Sequence, residues 1–82
     1  MKVMAKETSL EINKIISEAV TYFKGFFGLQ VADHVPNCCV EFSNNTGYVT
    51  VQVFPKGSRN EVILTTREWD YQVLEFMKSL HS

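Results

Sequence analysis

The sequence predicts an α+β fold. Both helices pack on one face of a three-stranded antiparallel meander, a two-layer sandwich in the order α-β-β-β-α. Three observations predict it. One amphipathic run spans residues 9–27, three short alternating runs follow at 38–43, 48–54 and 61–66, and a second helical stripe closes the chain at 67–80.

The first helix reads from "TSLEINKIISEAVTYFKGFFG". Thr8 or Ser9 can cap its start, and Thr8 with Glu11 has capping-box spacing. At about 100° per residue, Ile12, Ile15, Ile16, Ala19, Val20, Phe23, Phe26 and Phe27 share one side. Glu11, Lys14, Glu18, Thr21 and Lys24 lie opposite, and Lys14–Glu18 is an i,i+4 ion pair. The stripe continues through Phe26 and Phe27, so the helix is expected to end at Gly28, a natural C′ residue. Gly25 is the alternative end.

Residues 29–37, "LQVADHVPN", have no clean period, and Pro36 disfavours a helix. They read as a connection with room for a short edge-strand segment. "CCVEF" begins the first strand. "YVTVQVF" is the clearest, with Val49, Val51 and Val53 on one face and Tyr48, Thr50 and Gln52 on the other. "SNNTG" joins them as a turn in which Asn45 and Gly47 can take positive φ. "PKGSRN" is the loop before "EVILTT". In the last helix Thr65 or Thr66 can act as cap. Trp69, Val73, Phe76, Met77 and Leu80 form its stripe, with Tyr71, Leu74 and Lys78 pointing away.

At 82 residues the chain has the length of one domain, and 45% hydrophobic content excludes a disordered one. A net charge of −1 leaves no basic footprint for nucleic acid or anionic lipid. No apolar run reaches the ~18–20 residues of a membrane span, and no signal-peptide pattern follows "MKVMAKETS". These features predict a cytoplasmic protein whose cysteines are reduced.

"HVPNCCVEF" is the most chemical stretch. Zinc would need four ligands, and the candidates are His34, Cys38, Cys39 and either Asp33 or His81. Neighbours in a strand project to opposite faces, which opposes both a shared ion and a bond between the two sulfurs. Val40 and Phe42 share a face with Cys38, so Cys38 is expected inside and Cys39 outside. No metal, no cofactor and no catalytic residue is expected. His34 has no second supporter, and Glu61, Glu68, Asp70 and Glu75 belong to separate positions.

Aromatic side chains are in surplus: six Phe, three Tyr and one Trp. Phe23, Phe42, Trp69 and Phe76 can fill a core. Tyr22, Tyr48, Phe54, Tyr71 and one of Phe26 or Phe27 are left over. The uncovered sheet face therefore reads as a docking surface made of Cys39, Tyr48, Thr50, Gln52 and Ile63, with Phe54 at its edge. The expected function is that of a small non-enzymatic interaction domain whose partner is a protein or a second copy, a homodimer. A nucleic-acid-binding module using Lys56, Arg59 and Arg67 is the alternative. The order α-β-β-β-α is that of double-stranded-RNA-binding domains, but "TREWDY" lacks their lysine cluster at the start of the second helix. A thiol or metal site at His34, Cys38 and Cys39 is the third reading.

Overall fold

Val49, Val51 and Val53 turn one way along their strand. In the computed structural model, which describes residues 1–80, all three are buried. Their strand is the middle one of five. The elements are β1 (Lys2–Thr8), α1 (Ile12–Ala19) continuing into a π-helical segment (Val20–Phe26), β2 (Gln30–Val35), β3 (Cys39–Ser43), β4 (Tyr48–Lys56), β5 (Arg59–Arg67) and α2 (Asp70–Ser79). The sheet runs β1-β5-β4-β3-β2 and every pairing is antiparallel. The fold is thus α+β as expected, but the sheet has five strands, not three, and the order opens with a strand.

Both additional strands are edges; β2 falls where a short edge segment was expected and β1 was not expected, and each has a weak sequence signal for a physical reason. In β1 the positions facing the helices are Met4, Lys6 and Thr8, so a charged residue stands where period-two patterning calls for an apolar one. In β2 every residue is exposed, and a bulge interrupts the ladder between Val31 and Asp33. A strand that buries neither face has no pattern to leave in the sequence. The helical stretch between β1 and β2 therefore carries the chain from one edge of the sheet to the other.

One core fills the space between sheet and helices. Ile15, Ile16, Ala19 and Phe23 come from the first helical stretch, and Val73, Phe76 and Met77 from α2, followed by Leu80. Val40, Phe42, Val49, Val51, Val53, Val62 and Leu64 come from the sheet. Phe23 sits at the junction, its ring 5.5 Å from that of Phe42 and 5.4 Å from that of Phe76.

The first helix differs from expectation at both ends. Thr8 belongs to β1 and its hydroxyl accepts from Leu10 N–H, so the capping box with Glu11 does not form. Glu11 itself occupies the N-cap position without a side-chain bond. After Ala19 the helix widens to π geometry. Each π residue advances through a smaller angle than an α residue. The lag accumulates until Phe26 leaves the stripe and is 79% exposed, while Phe27 is partly exposed. Gly28 does end the segment, at φ 72°. The Lys14–Glu18 pair forms at 3.0 Å.

Turn chemistry is also redistributed. Neither Asn45 nor Gly47 takes positive φ. Instead Asn44 Oδ1 accepts from Thr46 N–H and Gly47 N–H, an Asx turn. Strands β4 and β5 run longer than expected and meet in a two-residue hairpin, Gly57–Ser58, with Gly57 at φ 63°. Pro55 is tolerated in β4 because β3 pairs with β4 only as far as Gln52, leaving that edge free.

At the last helix, Thr65 and Thr66 lie in β5, and neither caps. Thr66 Oγ1 donates to Tyr48 O instead, and Glu68 turns the chain at φ 76°. The C-terminal end of α2 is closed from outside. Lys6 Nζ donates to Met77 O at 3.0 Å and also to Leu80 O. A cation on the final carbonyls is favoured by the helix dipole. An inward-pointing charge also makes β1 a poor template for further strands. Lys6→Met should cost about 1.5–3 kcal/mol, the worth of hydrogen bonds to a charged group, read from the denaturant midpoint. An unchanged midpoint would show that the cap is idle.

Candidate functional site

The helices cover one face of the sheet, and the other is bare. Strand alternation sends every second residue of the central strands onto it. Register then fixes who stands beside whom. Gln52 lies between Cys39 and Ile63, and Ile63 is followed by Ala5. Thr50 lies between Glu41 and Thr65, and Thr65 is followed by Val3. Tyr48 lies between Ser43 and Arg67, and Phe54 is next to Glu61. The six side chains read from the sequence, Cys39, Tyr48, Thr50, Gln52, Ile63 and Phe54, thus share one surface. Five are half-buried by their neighbours, and Phe54 is 43% exposed.

Charge on this face is uneven. At the hairpin end Lys56 Nζ meets Glu7 at 3.1 Å and Glu61 at 3.9 Å, and Arg59 Nε lies 4.0 Å from Glu7. The hydrogen bond to Glu7, then the fields of Glu7 and Glu61, hold the Lys56 pKa above the ordinary lysine value. Near the opposite end, Asp33 and Glu41 stand directly across the β2–β3 ladder, two like charges in register. Arg67 lies on the same face along β5. Among the described residues, neither the two acids nor Arg67 forms an ion pair.

The cysteines depart from expectation. Both are half-buried, so Cys38 is not a core residue, and their two sulfurs lie side by side. Strand alternation was expected to keep the sulfurs apart. Cys38, however, lies in the turn before β3 begins, where alternation does not yet apply. That turn spans Val35–Cys38, with Cys38 N–H donating to Val35 O at 3.2 Å and Asn37 at φ 63°. Pro36 followed by a positive-φ residue is the type II arrangement. His34 is an exposed strand residue opposite Val40, not a loop residue. No group of three potential metal ligands occurs among the described residues, and His81 lies outside them. A cavity of about 270 Å³ opens beside Cys39, lined by Asp33, His34, Glu41, Thr50 and Gln52 among others.

A second surface was only half visible in the sequence. On the helix side Phe26, Phe27, Tyr71 and Leu74 are exposed, and Phe26 lines a cavity of about 240 Å³ together with Tyr22 and Phe76. Tyr22 touches the rings of Phe23, Phe26, Phe27 and Phe76. Desolvation first, then the charge of Glu75, raises the Tyr22 hydroxyl above its ordinary 10.0. The surplus of aromatics was the available signal. The π segment that turns Phe26 outward has none.

No helix among the described residues is long and apolar enough to cross a membrane. Comparison with known family models, with curated proteins and with solved structures finds no match.

Proposed function

We propose that this chain is a small non-enzymatic interaction domain that self-associates, two copies packing bare face to bare face. The observation that carries this reading is the unmet charge on that face. Among the described residues, Asp33 and Glu41 oppose each other on the β2–β3 side with no cation in ion-pair reach, and Arg67 stands on β5 with no anion in reach. Strands β3 and β5 flank β4 symmetrically. A two-fold axis along β4 therefore brings the acids of one copy toward Arg67 of the other, and the reverse. Phe54, Tyr48 and Ile63 supply apolar area between these contacts. A chain of this size also gains stability from a partner.

Light scattering after size exclusion should report a dimer at tens of micromolar. Arg67→Glu should weaken it by about tenfold or more, since like charges across an interface are strongly disfavoured. Glu41→Arg added to Arg67→Glu should restore it. A wild-type protein that stays monomeric throughout that range would end the proposal.

The nucleic-acid reading has less support. Lys56 and Arg59 are engaged by Glu7 and Glu61 at one end of the face, and Arg67 lies at the other end of β5. The three cations do not form one patch.

A further inference from the structure

We infer that the cavity of about 240 Å³ on the helix side binds a small trimethylammonium compound of the choline kind. Its lining is aromatic: Tyr22, Phe26 and Phe76 stand there with Glu18, Thr21 and Ser79. The Tyr22 ring lies 6.2 Å from that of Phe26 and 5.6 Å from that of Phe76, tilted by 45° and 41°, so the three are not stacked flat on one another. Aromatic faces attract cations through the ring quadrupole, and recognition of quaternary ammonium groups is the main functional use of that attraction. The exposure of Phe26 points the same way. Leaving this ring 79% exposed forgoes the gain from burying it, and seven residues of rare π geometry are what turn it out. The widened segment thereby moves an aromatic ring from the core stripe to the cavity wall.

The charge around the cavity has the matching sign. Among the described residues no lysine or arginine lines it; Lys24 and Lys78 belong to the same two helical stretches but not to its lining. Glu18 does line it, and Lys14, at 3.0 Å, offsets part of that charge. Glu75 forms no ion pair among the described residues. Its field reaches the site, since burial first and then the charge of Glu75 raise the Tyr22 hydroxyl. A neutral ligand gains nothing from these carboxylates, and an anion is repelled. Size narrows the class further. Pockets for drug-sized ligands run to about 300–1,000 Å³, so this one suits a head group with a short arm. Methyl groups on the nitrogen also lower the cost of dehydration, which is high for a bare ammonium.

The site lies on the helix side, away from the bare face, so its test does not depend on self-association. Choline is titrated with the full chain at low salt, and its N-methyl protons are followed by NMR. Ring faces close to the cation should move these protons upfield. Choline should bind about fivefold or more tighter than 3,3-dimethyl-1-butanol, the uncharged molecule of the same shape, because more than one ring meets the cation. Phe26→Ala should keep the fold, since the ring is largely in solvent, and should weaken choline binding by about fivefold or more. Glu75→Gln should weaken it about two- to fivefold, and added salt should act in the same direction. No upfield shift with the wild-type protein, or equal affinity for choline and its uncharged analogue, would overturn the proposal. Unchanged binding by Phe26→Ala would overturn the site. Retention on phosphatidylcholine vesicles without uptake of free choline would overturn the small-molecule ligand.

Discussion

Phe23→Ala should lower the unfolding free energy by about 3–5 kcal/mol, as expected for emptying a buried aromatic site. For a chain of this length the whole stability is roughly 4–12 kcal/mol, so this one change removes a large part of it. Phe23 is fully buried and its ring touches those of Phe42 on the sheet and Phe76 on α2. No other side chain joins the first helical stretch to both through ring contacts. The informative control is Phe26→Ala, expected to change stability by no more than about 0.5 kcal/mol, because that ring is largely in solvent. Guanidinium melts of the two variants decide the matter. Similar losses would mean that Phe26 is in the core and that the helix does not widen after Ala19.

Gly47→Ala should cost about 1–3 kcal/mol through overpacking. A β-carbon at Gly47 would overlap the carbonyl oxygen of Arg67, which is backbone and cannot swing aside. The glycine is needed for space, since its φ is not positive. The overlap falls where β4 starts opposite the end of β5, beside the Thr66 hydroxyl bond to Tyr48 O. The same substitution at Gly25 meets nothing within 4 Å and removes a flexible residue from a helical segment, so it should be neutral or mildly stabilising. An unaltered melting midpoint for Gly47→Ala would contradict the close approach.

These two sites show what could be read in advance. Phe23 was legible because α periodicity holds through Ala19 and the angular lag at Phe23 is still small. Phe26 was not, because nothing in "FKGFFG" distinguishes an α turn from a π turn. The alternating strands β3, β4 and β5 were legible because each buries one face. Edge β1 was not, since it carries an inward lysine, and β2, which buries nothing, was legible only as a short edge segment within residues 29–37. Gly47 drew attention as a turn residue, but its need for space depends on where Arg67 lands, which is a matter of register. The bare face followed from alternation alone. The unmet charges upon it required knowing that Asp33 pairs with Glu41, and so required β2. The neighbouring cysteine sulfurs on one side required knowing that Cys38 precedes the strand.

The edge-to-edge path of the first helical stretch sets an order of assembly. Strands β2 to β5 are a meander whose turns close short loops, among them the two residues of the β4–β5 hairpin. Strand β1 pairs with β5 from the far end of the chain, Lys2 opposite Thr66. Closing that separation costs more entropy than any turn of the meander, and contacts of such range form late. The meander and the helices over it are thus the early part of the structure. The first strand docks last, and the lysine that seals the end of α2 arrives with it.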